Sequence, residues 1–290
     1  MTSASANIAA PATDLAPHPP IVHIRPPSRR WAIPCGELWT NRELLYFFVW
    51  RDIKIRYKQT AIGAAWAILQ PFLAMLVFTL FFGRLAHIPS DGLPYAIFYY
   101  SALLPWMYFA SSLQTATNKI VENQNVITKV YFPRLLLPLS AVSAGLVDFA
   151  VSFLMFIVLM LWYAVRPSAA LLFFPLFLLL AFVTALGAGL WLSALNAIYR
   201  DVRYVVPFLI QFWLFASPVA YSSSLVPARW RWIYGFNPMA GVIEGFRWSL
   251  TGHGLMPGRM LLTSTVVSVA VLLSGLLYFQ AMETTIADVV

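Results

Sequence analysis

Six long apolar stretches alternate with more polar segments along the chain, at 66–82, 95–115, 139–165, 169–195, 205–222 and 260–280. A hydrocarbon core about 30 Å thick takes roughly 20 apolar residues per crossing helix. The pattern predicts an all-α integral membrane protein with six transmembrane helices, spanning 66–280. The flanking segments behave differently. The first 30 residues are rich in Pro and Ala and lack the basic-then-apolar order of a secretory signal, so 1–40 reads as a flexible cytoplasmic tail. Residues 281–290 read as a short cytoplasmic C-terminal tail.

Three segments between the spans have patterns of their own. In 41–63, Tyr46, Val49, Trp50, Ile53 and Tyr57 recur at helical spacing, with Arg51, Lys54 and Lys58 on another face. Aromatics opposite basic residues predict an amphipathic helix in the membrane interface. Phe47, Phe48 and Ile55 blur the stripe, which leaves packing on protein open. In the loop 118–134, Val126, Ile127, Val130 and Tyr131 form a short apolar stripe that Pro133 ends. Such a helix could dock in a cleft of a soluble partner or lie on headgroups. The segment 223–258 is too broken by Pro and Gly for spans and too apolar for a free loop. Asn237-Pro238 is a good helix start and Gly252 a plausible stop. The resulting helix, roughly 21 Å long, is too short to cross, so a re-entrant hairpin with a second short piece at 227–234 is expected.

Composition supports the bilayer reading. Hydrophobic residues make up 60% and charged residues only 10%. A soluble chain with so few charges could not cover its surface. One cysteine, Cys35, excludes an internal disulfide framework or a cysteine-built metal site. The net charge of +8 fits topology and anionic headgroups better than nucleic acid. With the N-terminus inside, thirteen of the 19 basic residues fall on the cytoplasmic side. Six fall outside, at Arg84, Arg166, Arg229, Arg231, Arg247 and Arg259. The bias predicts both termini in the cytoplasm; within the hairpin, Arg229, Arg231, Arg247 and Glu244 are expected to face polar surroundings or each other.

Inside the spans, polar features are few. Gln70-Pro71, Pro175, Pro207 and Pro218 interrupt or bracket helices, as packing kinks or as gating elements. Ala181, Ala185, Gly189 and Ser193 form a small-residue stripe for close helix contact, within the bundle or at a dimer seam. Asp148 is the one acidic residue well inside a span, roughly 14 Å deep. It is either a functional group or a hydrogen-bonded group that fixes helix contacts.

Recognisable reaction chemistry is missing. There is no G-x-x-x-x-G-K-[ST] loop for ATP and no H-E-x-x-H pair. His18, His23, His87 and His253 are scattered without ligand spacing. His87-x-x-x-Asp91 is one residue short of an acyltransferase H-x-x-x-x-D motif. These features favour a transporter or channel with no metal or cofactor bound by this chain. A membrane-embedded transferase or a proton-coupled flippase acting on a lipid-linked sugar remain as alternatives.

Four stretches in order carry a resemblance: RDIKIRYKQTAIGAAWAILQP (51–71), KVYFPRLLLPLS (129–140), YRDVRYVVPFLIQFWLFASPVAY (199–221) and NPMAGVIEGFRW (237–248). Over roughly 25–252 the chain resembles the membrane subunit of ABC-2-type polysaccharide exporters, of the O-antigen, capsule and teichoic-acid type rather than the drug or haem type. The resemblance implies a bacterial inner-membrane permease working as two copies with two copies of a separate ATPase that binds ATP and Mg. It implies a coupling role toward that ATPase for Asn125, Val126, Ile127, Lys129, Val130 and Tyr131. It also implies outer-gate helices containing Arg229, Arg231, Asn237, Glu244 and Arg247. A pore between the copies would carry a lipid-linked glycan. Aromatic faces suit sugar C–H faces, and Tyr99, Tyr100, Trp106, Tyr108, Trp213 and Tyr221 are candidate lining residues, with an interfacial belt as the plainer alternative. Arg51, Lys54, Arg56 and Lys58 are candidates for the carrier pyrophosphate or for anionic headgroups.

Overall fold

The computed structural model describes residues 35–58, 64–253 and 258–289. The expected tail up to residue 34, the end of the interface segment at 59–63 and residues 254–257 of the outer hairpin lie outside the described residues. All regular elements among the described residues are helical. Besides short 3-10 turns at Ala169–Phe173 and Ser223–Leu225, they are in chain order α1 (Cys35–Thr40), α2 (Arg42–Lys58) and α3 (Ala64–Phe78), which continues as a π-helical segment (Thr79–Leu85). Then come α4 (Tyr95–Glu122), α5 (Gln124–Ile127), α6 (Leu136–Trp162), α7 (Phe174–Ile198) and α8 (Val202–Ala216). Next are α9 (Arg231–Tyr234) and α10 (Pro238–Thr251), followed by α11 (Gly258–Val289).

Among the described residues, four helical stretches are long and apolar enough to cross a membrane: Ala65–Leu85, Leu136–Trp162, Ala169–Ile198 and Gly258–Glu283. The other two expected spans correspond to α4 and α8. At 28 residues α4 is long enough, but its second half carries Gln114, Asn118, Lys119 and Glu122. The 15-residue α8 covers about 22 Å and stops before Ser217-Pro218. The first span differs in detail from expectation. Pro71 leaves α3 unbroken, and the helix widens instead over Thr79–Leu85. The expected C-terminal tail is helical as well, since α11 runs on to Val289.

Helix α4 is the hub and packs against α3, α6, α7, α8 and α10, while α11 lies along α7. Lipid is as apolar as a leucine side chain, so close van der Waals fit and polar links must hold such helices together. The small-residue stripe supplies the fit. Ala181, Ala185, Gly189 and Ser193 are all buried, and a Cβ on Gly189 would lie 3.0 Å from Ala116 Cβ on α4. The stripe therefore packs inside the bundle. On another face of α7, a Cβ on Gly187 would meet the Leu272 backbone nitrogen at 2.6 Å, so α7 and α11 touch backbone to backbone. Thr184 and Ser268 add a hydroxyl link of 2.9 Å between the same helices.

Candidate functional site

Helix α2 is bound to the bundle by charge. Phe48 and Asp52, one turn apart, are its buried residues. The Phe48 ring sits 5.3 Å from that of Phe132, in a cluster with Leu136, Leu137 and Ile120. Asp52 accepts from Lys119 Nζ at 2.8 Å, from Ser140 Oγ at 3.2 Å and from Arg51 at 3.2 Å. The Asp52 and Lys119 side chains are 6% and 9% exposed, so this is a buried ion pair joining α2 to the last turn of α4. A turn further on, Arg56 Nη1 and the Tyr57 hydroxyl donate to the two carboxylate oxygens of Asp148 on α6. Burial pushes the Tyr57 hydroxyl above its ordinary value of 10.0, against the pull of Arg56, so it remains a protonated donor.

Helix α2 therefore has both an exposed aromatic side and a face on protein. Of the stripe read as its membrane face, Tyr46 and Trp50 are exposed, while the face on the bundle runs through Leu45, Phe48 and Asp52. The basic residues also part company. Arg51 lies over the Phe48 ring, Arg56 meets Asp148, and Lys54 and Lys58 are exposed. Asp148 thus has a defined partner set, and Asp52 is a central residue that the sequence reading passed over. A lone acid between Arg51 and Lys54 offered no sequence signal beyond its charge.

Arg56, Tyr57 and Asp148 form part of the wall of a cavity of about 810 Å³ between α2, α3, α4, α6 and α8. Trp66, Trp106, Tyr108 and Phe149 give it aromatic faces, and Gln70, Gln114, Gln211 and Ser111 give it neutral polar ones. Trp106 and Tyr108 thus border this cavity with little exposed surface, and the Tyr108 hydroxyl donates to the Val142 carbonyl at 3.2 Å. Tyr99 and Tyr100 are fully buried in the protomer core, with the Tyr100 hydroxyl donating to the Ser152 carbonyl at 3.1 Å. A lining role for these two is a correction: their position in the first turns of α4 faces them into neighbouring side chains. Trp213 donates to Asn237 Oδ1 at 2.9 Å and lines a separate hollow of about 400 Å³ with Trp230 and Tyr234. Tyr221 pairs with the Tyr234 hydroxyl at 2.8 Å.

The segment 223–253 is built around α10. Asn237 caps it by accepting from the Met239 amide at 3.1 Å, and Gly252 ends it at φ +69°, a left-handed conformation glycine adopts without strain. Both ends match the sequence expectation. Every α10 residue except Trp248 is buried. Glu244 and Arg247 pair at 3.0 Å with almost no exposed surface. Arg247 also donates to the Pro218 carbonyl at 3.0 Å and lies over the Phe98 ring, while Glu244 accepts from the Ser223 amide at 2.8 Å. Arg231 donates to the Val226 and Ser224 carbonyls, and Arg229 lies over the Trp230 ring. Asp91, considered above beside His87, is occupied by the Ser222 and Ser224 hydroxyls.

The loop expected to hold a coupling helix has only one helical turn, α5, because α4 extends to Glu122. Val126 and Ile127 pack against the Phe48–Phe132 cluster. Asn125 and Lys129 are exposed, Val130 is 57% exposed and Tyr131 is 86% exposed. The expected four-residue apolar stripe is thus divided, half turned to the bundle and half turned out. Among the described residues no group of three or more His, Cys, Asp or Glu side chains could hold a metal ion.

Residues 43–251 match the family of ABC-2 type transporters. An O-antigen export system permease protein, RfbA, of Myxococcus xanthus is 30% identical over 87% of this chain and 97% of its own length. A Klebsiella pneumoniae protein of the same name is 26% identical over 85% of this chain and 95% of its length. The polysialic acid transport protein KpsM of Escherichia coli is 26% identical over 72% of this chain and 79% of its length. With 43–251 covered by the family and long apolar helices in place, the chain belongs to the ABC-2 type transporters, as a multi-pass membrane permease of the polysaccharide-export kind.

Proposed function

We propose that this permease moves a lipid-linked polysaccharide out of the cytoplasm through a pathway between two copies of the chain, driven by a separate ATPase. The cavity beside α2 is the observation that carries the reading. It combines aromatic faces with neutral hydrogen-bonding groups (Trp66, Trp106 and Tyr108 with Gln70, Gln114 and Gln211), a set suited to sugar rings. In this reading α3, α4, α6, α7, α8 with the turn after it, and α11 make six crossings of the bacterial inner membrane, with both termini cytoplasmic. Tyr46 and Trp50 of α2 rest in the headgroup layer, as their exposure supports. Exposed Val130 and Tyr131 reach the ATPase, which supplies the ATP and Mg sites. The segment 223–253 caps the outer end of the pathway.

The test is reconstitution of the chain with an ATPase subunit in vesicles. The reading requires ATP-dependent appearance of lipid-linked glycan on the far side. Glycan movement that persists without ATP but follows a proton gradient would favour the flippase alternative.

A further inference from the structure

Among the described residues the cavity has two charged lining residues, Arg56 and Asp148, and they are bonded to each other. Tyr57 holds the second carboxylate oxygen with a neutral hydroxyl. The wall is therefore electrically balanced. The Ser152 and Tyr108 hydroxyls donate to backbone carbonyls, and Gln70, Gln114, Gln211 and Ser111 each can both donate and accept, as do sugar hydroxyls. An anionic sugar brought here would meet Asp148 and would have to displace it from Arg56. Moving a charge into a partly desolvated site without a partner is costly.

We infer that this cavity takes uncharged sugar units and rejects acidic ones, with the Arg56–Asp148 pair as the element that sets the selection. The inference rests on the polysaccharide reading above and names the substrate class within it. It also means that Arg56 is engaged by a carboxylate and is not the pyrophosphate ligand considered from sequence. Asp148, the one acid deep in a span, acts here by cancelling the charge of an arginine brought to it by another helix.

The test uses the full chain in nanodiscs of neutral lipid, titrated with mannose, galactose and glucose tetrasaccharides and with a sialic acid tetramer. The expected result is binding of at least one neutral tetrasaccharide tenfold or more tighter than the acidic one. Asp148→Asn leaves the Arg56 charge uncompensated and should lower that preference at least tenfold. Arg56→Gln leaves Asp148 uncompensated, should strengthen the rejection of the acidic tetramer, and serves if Asp148→Asn elutes as an aggregate. Changing both residues restores a neutral wall and should restore the preference. Equal or tighter binding of the sialic acid tetramer by the unaltered chain overturns the inference and leaves the polysaccharide reading standing. Binding of no tetrasaccharide overturns both.

Discussion

Two ion pairs of the same chemistry sit in opposite settings. Glu244–Arg247 is sealed within α10 and its neighbours, with every contact made to the protein. Arg56–Asp148 borders a cavity, with side chains 33% and 24% exposed. A sealed pair can rearrange only if the helices around it part. A pair on a cavity wall can exchange partners with whatever enters. The contrast fits a Glu244–Arg247 pair that holds α10 in place and, under the proposal above, an Arg56–Asp148 pair that meets cargo.

The largest effect belongs to the Glu244–Arg247 pair. Glu244→Ala leaves a buried guanidinium without its carboxylate and should cost about 3–5 kcal/mol, lowering the unfolding temperature of the detergent-solubilised protein. An unchanged melting curve would show that Arg247 is satisfied without Glu244. Next comes Asp52→Ala, which strands Lys119 and should destabilise by about 3 kcal/mol. The exchanged pair Asp52→Lys with Lys119→Asp should recover part of that loss, because the attraction survives reversal. A double variant no better than the single ones would break the claim that this bond ties α2 to α4.

Asp148→Asn should shift stability by no more than about 1 kcal/mol, as expected for a partly solvated pair. Its effect on glycan binding should nevertheless be large. If Asp148→Asn destabilised the fold as much as Glu244→Ala, the two pairs would be alike and the contrast would collapse. The smallest stability effect falls on Tyr131→Ala, within about 0.5 kcal/mol for an exposed side chain. Export should still fall if this loop meets the ATPase.

What the sequence disclosed follows the range of the forces involved. The ends of α10 were legible because caps are local chemistry: an Asn side chain bonding an amide two residues on, and a glycine at positive φ. The small stripe on α7 was legible as packing, but its partner, α4, was not. The ion pairs were harder. Arg56 and Asp148 lie on helices far apart in the chain, and only the fold brings them together. On α2 the aromatic stripe at Tyr46 and Trp50 is the stronger hydrophobic signal, and those two side chains are exposed. The bundle instead recruits Phe48 and a charged residue, Asp52, whose burial depends on Lys119. Tyr99, Tyr100 and Tyr108 carry the same chemistry and share one buried cluster, and only the direction of Tyr108 from α4 also brings it to the cavity wall.

The most direct test of the account is ATP-driven export by the reconstituted permease and ATPase, with the exposed loop residue changed by Val130→Asp. The account predicts that the variant assembles with normal stability and that the ATPase still binds nucleotide, while glycan export is lost. Export at the unaltered rate would contradict the claim that this loop carries the driving force into the permease.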